Sequence, residues 1–140
     1  GQAYLRTGQR QLAMADLERA AQRGDRQIVA QVLYNLGAEG IRAERWDDAA
    51  SAFAAAHEYA SGNLRSDISF YWGFAVYKQG ETIARANTRG DVEQARRALE
   101  FFRRAVPLLE ATNHAQAGTV LDGARQYIEN QEAIIRAGQR

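Results

Sequence analysis

The chain has 140 residues, no cysteine, a single proline and a formal net charge of +1. This length can bury roughly two-thirds of the unfolded chain's surface, and the balanced charge gives no overall attraction to nucleic acid or to an anionic membrane. The lack of cysteine excludes disulfides and zinc–thiolate sites, and the absence of a run of about 18 apolar residues predicts no membrane insertion. Abundant alanine with little proline favours helices over strands throughout.

Blocks of the sequence repeat at a spacing of 36 residues. The aligned positions include Gly1, Gly37 and Gly73, then Leu5, Ile41 and Tyr77, and then Arg6, Arg42 and Lys78. A second set, Ala49, Phe53 and Ala56, reappears as Ala98, Phe102 and Ala105 once 13 inserted residues are set aside. Repeats of this length are typical of solenoids of helix pairs, which bury their apolar faces by stacking on neighbours. The sequence therefore predicts an all-α scaffold.

In chain order, the sequence predicts the end of a helix at residues 1–7 and a helix over 9–22, closed by Gly24 and Asp25. A helix over 26–43 follows, and its predicted apolar face consists of Ile28, Val32, Leu36 and Ile41. We expect Asp47 to cap the next helix, which runs to about residue 60. Together these elements predict one helix pair after a partial one.

Residues 61–63 predict a turn, and a long helix follows over 66–86 before a break at 87–90. The next helix runs from 91 to about 110, and Pro107 should kink it or end it near Val106. A last amphipathic helix over 115–137 is expected to cap the stack. The predicted organisation is one domain, with a partial repeat at 1–24, repeats at 25–62 and 63–111, and a capping helix at 113–138. We expect it to be a fragment of a longer protein.

A family resemblance rests on three of these segments. The run Tyr34-Asn35-Leu36-Gly37, followed by Trp46-Asp47-Asp48-Ala49-Ala50, Phe53 and Ala56, resembles a tetratricopeptide repeat (TPR). The run Tyr77-Lys78-Gln79-Gly80, with residues 98–105, looks like another copy, whose hairpin is lengthened. Residues 1–5, with Gly8, Ala13, Leu17 and Ala20, resemble the later part of a first copy. The chain departs from the pattern at Gly40, which occupies the usual aromatic position. The resemblance implies an antiparallel helix-pair solenoid, a TPR-like superhelix, with a C-terminal capping helix.

The resemblance also implies a function. The first helices of such repeats line a concave groove that holds a peptide or helix of a partner protein. The residues of this chain expected there are Tyr34, Asn35, Arg42, Phe70, Phe74, Tyr77 and Lys78. We therefore predict a protein–protein interaction scaffold without enzymatic activity, cofactor or metal. The alternative is a homo-oligomerisation or structural module of a larger protein.

Each predicted site residue has a second interpretation. Phe70, Phe74 and Tyr77 share one helical face, and they either meet a partner or are covered by the last helix or by a neighbouring chain. Asn35 either pairs with a bound peptide backbone or is a solvated residue. The cations Arg42 and Lys78 either attract acidic segments or pair with neighbouring carboxylates.

The segment 96–104 carries a local basic patch. Arg96 with Arg103, and Arg97 with Arg104, lie two helical turns apart and could bind an acidic protein or a phosphate backbone. The alternative is pairing along the helix, of Glu93 with Arg97 and of Glu100 with Arg104. We do not expect nucleic acid, because no aromatic residues alternate with these arginines. His57 and His114 lack a second ligand at metal-binding spacing.

Overall fold

The computed structural model describes residue 11, residues 14–22 and residues 24–139. This part of the chain is all-α, with six helices and no strand. The helices are α1 (14–22), α2 (Arg26–Arg42), α3 (Trp46–Tyr59), α4 (Gly62–Ala86), α5 (Val92–Glu110) and α6 (Ala117–Gly138). From α2 onward each helix packs against the next, and α4 also contacts α6. These contacts are consistent with a helical solenoid; the predictions at Gly1, Leu5 and Arg6 lie outside the described residues.

The core forms two clusters of buried side chains. The larger one lies mainly between α2, α3 and α4 and includes the fully buried Leu33, Phe53 and Ile68. The smaller one joins α5 to α6 through Ala98, Phe102 and Ala124. Many core positions are alanines, and these small side chains let neighbouring helices approach closely.

In each of the helix pairs α2–α3 and α4–α5, a phenylalanine of the second helix packs against a glycine of the first. A Cβ atom at Gly37 would lie 2.7 Å from two ring carbons of Phe53, and one at Gly80 would lie 3.0 Å from the ring of Phe102. Gly73 instead faces Leu109, whose Cγ would be 2.9 Å from such an atom. Gly80 therefore makes in its helix pair the contact that Gly37 makes in the other. The 36-residue spacing instead aligns Gly37 with Gly73, so the sequence alignment and the helix contacts disagree at this position.

The reason is the length of α4, which has 25 residues where α2 has 17. Gly80 lies about two helical turns further from the start of α4 than Gly37 lies from the start of α2. The predicted turn at residues 61–63 is therefore wrong, because α4 already begins at Gly62, whose φ of 63° is a backbone conformation that glycine tolerates. The 13 inserted residues are therefore divided between the start of α4 and the stretch from Gly80 to Phe102, which joins α4 to α5.

Helix α5 does not end near Val106. It continues through the exposed Pro107 to Glu110, although proline removes one backbone hydrogen bond. The last turn is held by packing, because Leu109 is 1% exposed and both Leu108 and Leu109 lie against Gly73. Burial of apolar side chains thus keeps this turn helical.

Two predictions for α2 and α3 also differ from the structure. The buried face of α2 consists of Val29, Ala30, Leu33, Gly37 and Gly40, while Ile28 and Val32 are 64% and 44% exposed. The N-cap of α3 is Arg45, and no side chain caps it; Asp47 lies in the first turn. The inward face of α2 thus combines the aliphatic Val29 and Leu33 with small residues that allow α3 to approach, and Ile28 and Val32 lie outside it.

Candidate functional site

The aromatic stripe of α4 is divided by the C-terminal part of the chain. Phe70 is only 3% exposed, because the segment between α5 and α6 places the ring of His114 parallel to it, with centroids 3.9 Å apart. Phe70 is therefore not accessible to a partner in this structure.

Hydrogen bonds fix the segment that covers Phe70. The Thr112 hydroxyl donates to the Ser66 carbonyl oxygen at 2.7 Å, and the Ser66 hydroxyl donates to the Asn113 Oδ1 at 2.8 Å. The backbone N–H of Gln116 donates to Nδ1 of His114 at 3.1 Å, so a neutral imidazole carries its proton on Nε2. Side chains of the segment and of α4 thus hold the segment against the start of α4.

Tyr77 lies under α6. Its ring packs edge-to-face on Phe102 and Tyr127, with centroids 5.7 and 5.9 Å apart, and its hydroxyl donates to Oε2 of Glu81 at 3.2 Å. Burial, together with the negative charge of Glu81, raises the pKa of Tyr77 to about 12. This tyrosine joins α4, α5 and α6 and does not form an open surface.

Glu81 is a buried carboxylate, 7% exposed, at the contact between α4 and α6. It accepts hydrogen bonds from Lys78 Nζ at 2.6 Å and from the Tyr127 hydroxyl at 3.3 Å, and the Arg85 guanidinium lies 3.5 Å away. Burial acts to raise its pKa, but the hydrogen bond and charge of Lys78, with smaller effects of Tyr77 and Arg85, hold the pKa below its ordinary value. The carboxylate therefore stays charged at neutral pH.

Phe74 differs from the other rings of the stripe. It forms an edge-to-face pair with Trp46, with centroids 6.0 Å apart and planes at 84°. Both side chains are partly exposed, and neither belongs to the two buried clusters or to the side chains packed on them. The ammonium of Lys78 lies 5.4 Å from the Trp46 centroid and 5.9 Å from that of Phe74. We call these three residues the Trp46–Phe74–Lys78 surface.

Trp46 was missing from the predicted site. In the sequence it stands only at the start of a predicted helix, 28 residues before Phe74. The antiparallel packing of α3 on α4 brings the start of α3 to the middle of α4. The period of α4 alone could not show this neighbour, and the signal available in the sequence was only a tryptophan at the start of a predicted helix.

The predicted residues of α2 occupy a different part of the structure. Tyr34 is partly exposed and packs edge-to-face on Phe53 and on Tyr71 of α4, both at 5.9 Å between centroids. Burial, together with Tyr71 and Asp67, raises the pKa of Tyr34. Asn35 is exposed and accepts a hydrogen bond from Gln31 Nε2 at 3.1 Å, and Arg42 is exposed in the last turn. Tyr34 thus links α2 to α4, while Asn35 and Arg42 reach solvent.

Comparisons of the chain with protein-family models, with curated proteins and with solved structures give no match. None of the helices in the described part of the chain is long and apolar enough to cross a membrane. Within the same residues, no group of three or more histidine, aspartate or glutamate side chains is placed to hold a metal ion. We therefore infer function from the exposed aromatic and charged side chains.

Proposed function

We propose that this chain is a protein–protein interaction scaffold of TPR-like helix pairs, which binds an apolar helix or peptide of a partner at the Trp46–Phe74–Lys78 surface. The observation that carries the proposal is the pair of partly exposed rings from adjacent helices, outside the buried core. Aromatic side chains bury about 150–250 Å² each, and tryptophan is strongly enriched among residues that dominate interface energetics. Such a pair supplies an anchor for an apolar partner side chain.

Lys78 gives this anchor a charge preference. Its side chain is 28% exposed, and the ion pair with Glu81 holds its ammonium beside the two rings. A partner carboxylate placed next to an apolar side chain would accept a charge-assisted hydrogen bond there. We therefore expect the bound segment to combine an apolar anchor with an adjacent acidic residue.

Asn35 is a separate candidate contact for a partner on α2, outside the Trp46–Phe74–Lys78 surface. The hydrogen bond from Gln31 uses the Asn35 carbonyl oxygen, and no other described group occupies its amide donors. An exposed amide can donate to a peptide carbonyl without selecting a side chain. Tyr34 and Arg42 would extend the contact along the same helix.

The test is affinity capture from a lysate of the source cells, with wild type beside Trp46→Ala and Phe74→Ser. Val32→Ser is the matched control, because it removes an exposed apolar side chain of α2, which does not contribute to the Trp46–Phe74–Lys78 surface. We expect a partner that is lost with both aromatic variants and retained with the control, while circular dichroism shows all four proteins folded. Equal recovery of every captured protein by the four baits would overturn the proposal.

A second candidate function is self-association. Ile28 and Val32 are the exposed large hydrophobic side chains of the described residues, and they lie one turn apart on α2. Two such faces could pair across a two-fold axis. Light scattering over a range of concentrations tests this: a mass that rises for wild type and stays monomeric for the Ile28→Ser, Val32→Ser double variant would support it. A concentration-independent monomer mass would exclude it.

A further inference from the structure

The outer side of α5 holds a hollow of about 350 Å³ that is lined mainly by arginines. Its lining residues are Arg96, Leu99, Glu100, Arg103 and Arg104. The three arginines are exposed, whereas Leu99 is 6% exposed and forms part of the floor. The hollow is separate from the Trp46–Phe74–Lys78 surface, which α3 and α4 form.

The arginines of this hollow are weakly engaged within the chain. Arg96 lies 3.9 Å from Glu93, and Arg103 lies 3.9 Å from Glu132 of α6, both at the outer limit of an ion pair. Exposed ion pairs contribute about 0–1 kcal/mol to stability. Both guanidinium groups can therefore turn to a partner at little cost.

Arg104 has no carboxylate within ion-pair distance in the described part of the chain, and its guanidinium lies 5.7 Å from the centroid of Phe101. The pairs Glu93–Arg97 and Glu100–Arg104 predicted from spacing are absent, since Glu93 approaches Arg96 and Arg97 donates to Gln94 at 3.2 Å. The stacked guanidinium keeps its N–H edges free for an acceptor. This face of α5 thus has more available positive charge than the sequence pattern predicts.

We propose that this hollow binds an acidic segment of a partner protein. Arg96 and Arg103 are two helical turns apart, which places their Cα atoms about 10 Å from each other. A polyproline-type extended segment rises about 9 Å in three residues and returns to the same side. Two carboxylates three residues apart can therefore each accept a bidentate pair of hydrogen bonds from one arginine.

The acidic side chains of the same face favour a protein segment over nucleic acid. Glu100 lines the hollow, and Glu93 and Glu132 lie at its rim. A phosphate backbone carries a charge at every nucleotide and would meet these carboxylates, whereas a protein segment can place neutral residues opposite them. Proteins that bind single-stranded nucleic acid usually offer rings on which its bases stack, and Phe101, the aromatic residue beside Arg104, packs partly against the core.

The test measures fluorescence anisotropy of a labelled oligo-glutamate peptide, with a labelled single-stranded oligonucleotide of equal charge beside it. The variant is the triple Arg96→Gln, Arg103→Gln, Arg104→Gln. The matched control is the triple Arg19→Gln, Arg45→Gln, Arg65→Gln, which removes the same charge from exposed positions on other helices and loops. Circular dichroism confirms that each protein is folded.

We expect the α5 triple variant to weaken peptide binding by about tenfold or more, and the control triple by less than about twofold. Equal weakening by both triples would show a general charge effect and overturn the proposal. Absence of peptide binding by wild type, or tighter binding of the oligonucleotide than of the peptide, would also overturn it. The Phe74→Ser variant should bind the peptide like wild type, so this result is independent of the proposed function.

Discussion

His114 lies face to face with Phe70, with 3.9 Å between centroids and 2° between planes. The contact joins the segment after α5 to Phe70, the first ring of the aromatic stripe of α4. One end of the predicted binding face is therefore occupied by the chain itself. Phe74, one turn further along α4, is the ring of this stripe that pairs with Trp46 outside the core.

Replacing His114 by alanine should expose Phe70 and remove the stacking. Aromatic pairs contribute about 0.5–1.5 kcal/mol beyond their area, so we expect His114→Ala to lower the free energy of unfolding by about 1–2 kcal/mol in urea titrations. Gln116→Ala, an exposed neighbour, should change it by less than about 0.5 kcal/mol. An equal loss in both variants would mean that the stack itself contributes nothing.

Adding a methyl group at the close helix contacts should destabilise the fold. Gly37→Ala places a Cβ atom 2.7 Å from the ring of the fully buried Phe53, and Gly80→Ala places one 3.0 Å from the ring of Phe102. Overpacking of this kind costs about 1–3 kcal/mol, with the larger loss expected at Gly37. Thermal and urea unfolding measure both variants.

The control for these two variants is Gly118→Ala in α6, where an added Cβ atom meets nothing within 4 Å. Because alanine is a better helix former than glycine, this variant should be as stable as wild type or slightly more so. If Gly80→Ala behaves like Gly118→Ala, the contact between α4 and Phe102 is looser than its geometry indicates.

Neutralising Glu81 should loosen α6 from α4. Glu81→Gln removes the charge that Lys78 and Arg85 face, and it weakens the acceptor of two tyrosine hydroxyls. We expect a loss of about 1–3 kcal/mol in the free energy of unfolding at pH 7. The exposed Glu129→Gln is the control, and it should unfold like wild type.

The same variant should change the acid dependence of stability. Because the folded-state pKa of Glu81 lies below its ordinary value of 4.5, its contribution is present above pH 4.5 and is lost as the pH falls through the folded pKa. Urea titrations at neutral and acid pH should therefore show a smaller acid loss for Glu81→Gln than for wild type. Parallel curves for the two proteins would contradict this.

His57 should titrate at a lower pH than a free histidine. Its ring packs on Trp72 at 5.4 Å, and its Nε2 accepts a hydrogen bond from Arg65 Nε at 3.2 Å. Burial, and then the charge of Arg65, lower its pKa from 6.5. Its contribution to stability is therefore present above pH 6.5 and is lost as the pH falls through the folded pKa.

An NMR titration of the imidazole protons measures this pKa directly. The midpoint should lie below 6.5 in wild type and should rise in Arg65→Gln, since that variant removes the second cause of the shift. Arg45→Gln, an exposed arginine at the other end of α3, should leave the midpoint unchanged. A wild-type midpoint at or above 6.5 would show that His57 is not held in its neutral form.

Sequence patterns predicted helix type and most helix ends, because turn residues at Gly24 and Asn87 to Gly90 and apolar periodicity are local signals. They failed where contacts between helices decide where a helix ends or which of its faces is buried. Pro107 stays helical because Leu109 is buried against α4, and Ile28 lies outside because α3 packs on the other face of α2, which carries Leu33, Gly37 and Gly40. Local propensity gives no information on either choice.

The candidate site was predictable only in part. The period of α4 placed Phe70, Phe74 and Tyr77 on one face, but it could not tell which ring the segment near His114 and helix α6 would cover. That division depends on contacts between residues 44 and 50 positions apart in the chain, Phe70 with His114 and Tyr77 with Tyr127. The pairing of Phe74 with Trp46 likewise follows from the antiparallel packing of two helices.

The length and central place of α4 have a kinetic consequence. It is the helix that contacts α3, α5 and α6, so its middle amides can exchange with solvent only when most of the fold opens. The last turn of α6, which is exposed from Arg136 to Gly138, is expected to open at lower free energy. Folding stability is thus expected to be distributed as a gradient, with a slowly exchanging centre in α4 and a labile end in α6.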